Sequence, residues 1–277
     1  MKKIIFLLPI MCLIFFTTRC KKESSKKEPI AKVYKSKDPT PQNYRLRKYT
    51  HVKKLYKRLA SPITKLCIEN RVPPGAILSI LSLESGWGEG YIGQITGNFL
   101  SLNAVGNNPE LPALFLPSLN DSKKILFHPK EIAKIDTAKI TWKLRASSLK
   151  KDYRPAPYAG TSTNLSFLVD HPNEMTKANL KNVTDFVKKF ISSTSRIAAY
   201  REARAFLDME IEKNGIEILF DPELNTKFIH LIGGKPNSFN FRETWPKKAI
   251  SIMKGVGAVT LSEQLYKNTD FETAWKQ

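Results

Sequence analysis

The amino-acid sequence predicts a mainly helical α+β domain, and three observations carry that expectation. Apolar residues recur at three-to-four spacing in several segments bounded by capping residues, prolines and glycines. From about Phe99 to His171 the chain is instead broken by prolines, by the turn-like Gly106-Asn107-Asn108-Pro109 and by short apolar runs such as Leu114-Phe115-Leu116, the pattern of loops and short strands. Cysteines are too few for a disulfide framework, so a domain of about 220 residues must rest on its apolar core.

Residues 1–20 form a signal segment. Lys2 and Lys3 precede an apolar run from Ile4 to Phe16, which carries Pro9 and is shorter than the roughly 20 residues that a spanning helix needs. Cys20 stands where a bacterial lipoprotein signal is cut and its cysteine lipidated, although Arg19 departs from the small residue usual before it. The expected location is the bacterial cell envelope, with the exported chain held at a membrane by an N-terminal lipid or a retained signal anchor. Residues 21–58 read as a lysine-rich disordered tether interrupted by Ser24, Ser25, Pro29, Pro39 and Pro41. Such a segment is drawn to anionic lipid at about 1 kcal/mol per basic residue.

Residues 59–277 are expected to form one domain. Ser61-Pro62 offers a cap and a first-turn proline for a helix to about Asn70, and Pro73-Pro74 opens a second helix that glycines 86, 88 and 90 stop. Residues 139–149 fit a helix or a strand equally well. Val183, Phe186, Val187, Phe190 and Ile191 mark another helix, and Ser195 leads into one over Ile197 to Ile211 before Gly215. Asp221-Pro222 caps a helix ending at Gly233-Gly234, Thr244-Trp245-Pro246 begins the next, and Thr260 to Glu263 has capping-box spacing for a last one.

The formal charge of +20 would suggest nucleic acid in a cytosolic chain. In an exported one the available polyanions are lipid head groups and wall polymers, and no nucleic-acid motif is present, so no nucleic-acid partner is expected. His51, His128, His171 and His230 lack metal-ligand spacing, which argues against a metal and against a zinc peptidoglycan amidase, and nothing in the sequence indicates a cofactor. Cys67 lies between Leu66 and Ile68 and reads as a small buried hydrophobe, not a nucleophile.

Glu84 is the candidate proton donor. Ile80 and Leu81, three and four residues earlier, share its helix face and desolvate it, while the glycines after it place it in the last turn, at the negative end of the helix dipole. Both effects favour the protonated carboxyl that a general acid needs. Trp87 beside it offers a flat apolar face suited to a sugar ring.

The order of residues 73–88, Pro-Pro-Gly-Ala-Ile-Leu-Ser-Ile-Leu-Ser-Leu-Glu-Ser-Gly-Trp-Gly, resembles the catalytic segment of the endo-β-N-acetylglucosaminidase family of peptidoglycan hydrolases, which includes the Bax-like proteins. Gly97-Asn98-Phe99-Leu100-Ser101-Leu102-Asn103-Ala104 is similar to a second stretch of that family. Ala199-Tyr200-Arg201-Glu202-Ala203-Arg204, and Asp221-Pro222 with Lys227, Phe228, Leu231 and Ile232, are similar to its closing helices. The resemblance covers roughly residues 60 to 235. It implies a lysozyme-like fold, a helical lobe and a smaller irregular or β lobe flanking a groove, and cleavage of β-1,4 bonds at N-acetylglucosamine in the glycan strands of peptidoglycan with Glu84 as proton donor.

Asn98 and Tyr200, within matching blocks, and Tyr158 are candidate substrate contacts beside Trp87. A second carboxylate belongs to the middle of the chain, which offers Glu110, Asp121, Asp152, Asp170 and Glu174, with Asp152 or Asp170 favoured by their Tyr- and His-containing loops. Ile218-Leu219-Phe220 stands where the family often carries a tyrosine. A degenerate relative that binds wall glycan as an envelope scaffold is the alternative from another functional class.

Overall fold

A computed structural model describes residues 44–103, 115–124, 126, 129–144, 150–161 and 163–277. Among these the chain is mainly helical with one small antiparallel sheet. Residues 1–43, where the signal segment, the lipidation at Cys20 and most of the tether are expected, lie outside the described residues, as do Glu110, His128 and residues 145–149, and no helix of the described part is long and apolar enough to cross a membrane.

Helix α1 spans Thr50–Glu69 and α2 spans Pro74–Glu84. Every residue of α2 from Pro74 to Ser82 is buried. Such a helix must be apolar all round, which Ala76, Ile77, Leu78, Ile80 and Leu81 provide. It packs against α1, α8 (Pro222–Ile232), α9 (Trp245–Val256) and α10 (Ala258–Tyr266). Gly75 permits the closest approach: a Cβ there would lie 2.7 Å from Val259 Cγ2 and 3.0 Å from Asn225 Oδ1.

The N-terminus of this helix has few polar groups left to satisfy. Pro73 and Pro74 carry no N–H, and the Ala76 N–H donates to Asn225 Oδ1 at 2.8 Å. Asn225, fully buried in α8, in turn donates to the carbonyls of Leu219 and Asp221 at 2.9 and 2.8 Å. Ser79 and Ser82 return their hydroxyls to the Gly75 and Leu78 carbonyls at 2.7 Å each, so no polar group of the inner turns is stranded.

The smaller part is built on β1 (Phe115–Leu119) paired antiparallel with β2 (Ile140–Leu144), Pro117 opposite Trp142. Its own apolar cluster joins Leu126, Ile132 and Ile140 to Tyr91 and Ile95 of α3 (Tyr91–Thr96). The ambiguous segment 139–149 thus opens as a strand. Helices α4 (Pro129–Ile132) and α5 (Phe167–Asp170) are single turns, and α6 (Pro172–Asp185) follows. A π-helical turn, Phe186–Phe190, continues α6, and α7 covers Ala198–Asn214. Gly97 at φ +71° has its Cα so close to α6 that a Cβ would lie 2.4 Å from Ala178 Cβ, a position only glycine fills.

Three expectations are corrected. The folded domain includes residues 44–58, expected in the tether: Val52, Leu55 and Tyr56 keep helical spacing among the lysines and are buried, and Arg47 donates to the carbonyls of Val256, Ala274 and Trp275. Pro62 sits inside α1, not at its start, because the helix already runs from Thr50 and the buried Leu59, Ala60 and Ile63 hold it through the missing N–H. Thr260 to Glu263 lies within α10, which begins after Gly257 at φ +66°; the last helix, α11 (Phe271–Lys276), is capped by Asp270 accepting from the Thr273 N–H at 3.0 Å.

Asn225→Ala removes the acceptor for a buried N–H and is expected to cost about 1–3 kcal/mol, measured as a lower urea midpoint with unchanged slope.

Candidate active site

The backbone after α2 is set by one serine and a run of left-handed residues. Ser85 caps the helix; its Oγ donates to the Leu81 carbonyl at 2.7 Å and accepts from the Gly88 N–H at 2.8 Å. Gly86, Trp87 and Gly88 have φ of +54°, +62° and +82°, so the chain reverses at once and leaves Glu84 as the last helical residue. Gly88 also faces Phe99 and Leu55, 3.1 and 3.3 Å from where a Cβ would stand. The Glu-Ser-Gly-Trp-Gly order therefore has a local physical meaning: the serine closes the turn and the two glycines take left-handed backbone on either side of Trp87, which is itself held at positive φ.

Glu84 is partly buried, and Trp245 at the start of α9 donates its indole N–H to Glu84 Oε1 at 2.7 Å. Burial raises the carboxyl above its ordinary value of 4.5; the Trp245 hydrogen bond and the charges of Lys150 and Arg242 pull the other way and are outweighed. Tyr200 is buried beside this carboxylate, its hydroxyl pushed up first by burial and further by the negative charge of Glu84. Lys150 is held by the Ser101 carbonyl at 2.8 Å and Asn103 Oδ1 at 2.6 Å.

Of the residues expected at the site, Tyr200 is buried within reach of the Glu84 charge. Trp87 is half-buried and sets its ring edge-on to His51 of α1 at 6.0 Å. Tyr158 lies 4.7 Å from Phe167, which stacks on His171 at 4.3 Å. Asn98 is a correction, because its side chain serves the fold. It is 1% exposed, its Oδ1 accepts from Leu102 N and Asn182 Nδ2, and its Nδ2 donates to the carbonyls of Leu102 and Lys151, which fills all its hydrogen-bonding capacity.

Asp152 is likewise occupied. Its carboxylate accepts from Arg154 N, Nε and Nη2 and from Gly160 N, and both ionic side chains are fully enclosed, so it pins the loop and is closed to water. Asp170 is exposed and pairs with Lys130 at 3.1 Å, held below the ordinary carboxylate range by hydrogen bonds from Ser166 and Lys130. Asp121 is exposed and accepts from the Ser122 N–H, and Glu174 pairs with Lys177 at 2.7 Å. Among the described residues, the groups whose charge bears on the Glu84 carboxyl are Lys150 and Arg242.

Trp245, Lys150 and Arg242 were not expected at the site. Trp245 was legible only as a helix start, since nothing local ties it to a carboxylate 161 residues earlier. Among the described residues no group of three or more His, Cys, Asp and Glu side chains converges to hold a metal ion. Cys67 is buried and its thiol pushed up by burial. An open depression of about 410 Å³ beside α9, carrying Arg45, Lys247 and Lys254, contains no carboxyl and is a separate surface.

No protein-family model, no curated protein and no solved structure matches the chain. The glucosaminidase resemblance accordingly rests on the quoted residues alone.

The raised carboxyl of Glu84 fixes a sign. Between its ordinary value and its raised folded value the native state holds more protons than the unfolded chain, so stability falls as pH rises through that window. Glu84→Gln keeps an acceptor for Trp245 and has no charge to bury. Its stability relative to wild type is expected to increase from about pH 4 to about pH 8 in urea titrations. A pH-independent difference would show that the carboxyl is not desolvated. Trp245→Phe removes the hydrogen bond that favours the charged form, and carboxyl-carbon NMR is expected to find Glu84 titrating at still higher pH.

Proposed function

We propose that this chain is an exported, membrane-anchored envelope hydrolase that cleaves β-1,4 glycosidic bonds at N-acetylglucosamine in peptidoglycan glycan strands, with Glu84 as general acid. One observation carries the reading. The carboxyl that the Glu-Ser-Gly-Trp-Gly order singles out ends a buried helix, is raised by desolvation, and is oriented by a single indole hydrogen bond. A protonated carboxyl held in one direction can pass its proton to a departing glycosidic oxygen, which lowers the barrier to bond cleavage.

The mainly helical architecture with one small antiparallel sheet is compatible with the lysozyme-like fold that the resemblance implies. Tyr200, which feels the charge of Glu84 and lies inside a matching block, supports the same reading. Anchorage through Cys20 or the signal segment would hold the domain near its wall substrate.

A second reading has its own support. Among the described residues, Asp152 is sealed against Arg154, Asp170 is paired with Lys130, and the charges bearing on Glu84 are those of Lys150 and Arg242. A glycosidase without a second acid depends on the substrate's own acetamido group or does not cut. The scaffold alternative, a glycan-binding envelope lipoprotein, draws its support from these pairings among the described residues, outside which Glu110 lies.

Zymography on peptidoglycan with wild type and Glu84→Gln separates the two. The hydrolase reading expects clearing by wild type and a loss of at least about a hundredfold in Glu84→Gln, the ordinary scale for removing a general acid. Equal clearing by both removes Glu84 from the mechanism, and no clearing by either, with glycan still bound, favours the scaffold.

A further inference from the structure

The segment between α8 and α9 is a closed loop whose inner face is aromatic and whose outer face is not covered. The Phe239 N–H donates to the Ile232 carbonyl at 2.7 Å and the Gly234 N–H to the Asn240 carbonyl at 2.8 Å, while the Arg242 N–H reaches Asn240 Oδ1 at 3.1 Å. Ser238 Oγ adds bonds to the backbone of the same loop, and Asn237 takes φ +54°. Phe239 turns inward, 5.2 Å from the Trp245 ring and 5.3 Å from Phe186.

The outer side holds Phe241 and Arg242. Phe241 is 70% exposed, the most exposed of the large hydrophobic side chains among the described residues. Arg242 is exposed, lies 5.8 Å from the Phe241 ring and makes no ion pair among the described residues. The Arg242 carbonyl accepts from the Trp245 N–H at 2.9 Å, and Trp245 holds the Glu84 carboxyl. A rigid loop thus presents an aromatic face and a guanidinium to solvent one residue contact away from the proton donor. A lone exposed ring needs no explanation by itself, but a flat apolar ring with a guanidinium beside it matches a sugar ring that carries a carboxylate.

We propose that Phe241 and Arg242 form the substrate-binding lip of the Glu84 site, Phe241 packing on a pyranose ring and Arg242 receiving an anionic substituent of the glycan. Lys150, whose charge also bears on Glu84, adds to the same preference for a negatively charged sugar. This inference rests on the glycan reading of the site and deepens it: the ligand is an acidic amino-sugar chain, not a neutral one.

The test measures binding, not turnover, with full-length chain carrying Glu84→Gln so that loss of hydrolysis does not enter and the Glu84 charge is absent throughout. Two probes are compared, soluble uncrosslinked glycan strands bearing muramyl carboxylates and neutral N-acetylglucosamine oligosaccharides. The parent is expected to bind the acidic strands more tightly, and increasingly so at low salt. Phe241→Ala is expected to weaken both ligands about tenfold with an unchanged melting temperature, because the ring is outside the core. Arg242→Gln is expected to weaken only the acidic strands, about tenfold, and to flatten their salt dependence. Unchanged binding in Phe241→Ala, or equal losses for both ligands in Arg242→Gln, overturns the assignment while leaving the glycan reading intact. A parent that binds neither probe removes the glycan reading and this lip with it.

Discussion

Burial of α2 on every side is the constraint from which the rest of the structure follows. A helix with no solvent-facing stripe has to satisfy both its ends inside the protein. At one end prolines and Asn225 do so; at the other Ser85 and the left-handed Gly86-Trp87-Gly88 turn redirect the chain immediately. The surrounding helices α1, α8, α9 and α10 are then fixed by what they must cover. Glu84 is the point at which this apolar rod meets polar surroundings, and its chemistry is a consequence of where the rod stops.

Opposed effects of known scale meet at that carboxyl. Its place in the last helical turn disfavours charge by about 0.3–1 kcal/mol, and a hydrogen bond to a charged group favours it by about 1.5–3 kcal/mol. Lys150 and Arg242 act with Trp245, yet desolvation still leaves the carboxyl raised. The balance is suited to an acid: enough burial to keep the proton, and one fixed donor to set the direction of the carboxyl. A carboxylate such as Asp185, buried but paired with both Lys151 and Lys189, lies below the ordinary range instead. The difference between these two acids is the presence of direct ion pairs, not burial alone.

What the sequence made legible was local. The limits of α2 and α8, the glycine stop after Glu84 and the desolvating Ile80 and Leu81 all depend on neighbours within a few residues, and the structure has them where spacing puts them. Asn98 lay in a recognisable stretch, but its four partners come from Leu102, Lys151 and Asn182, so its role as an internal bracket depends on chain segments brought together only by folding. The start of the domain was misjudged for a different reason. Lysines and arginines dominate residues 45–58 and mask the spacing of Val52, Leu55 and Tyr56, whose burial fixes the helix. Long basic side chains can lie along such a stripe while their charges stay in water, so composition alone is a poor guide to order there.

The glycine pair at the end of α8 shows how a locally legible feature gains a second meaning in three dimensions. Gly233-Gly234 stops a helix in sequence terms, but the Trp245 ring rests directly on it: a Cβ at 233 would lie 2.2 Å from Trp245 Cζ3, and one at 234 would lie 2.7 Å from Pro246 Cγ. Neither a ring nor a proline at the first turn of α9 can yield that distance cheaply. The absence of side chains at 233 and 234 therefore sets the height of the indole, the indole sets the direction of Glu84, and the same glycines begin the loop that carries Phe241 and Arg242. The orientation of the Glu84 carboxyl and the placement of the exposed Phe241 and Arg242 are two outcomes of one close backbone approach.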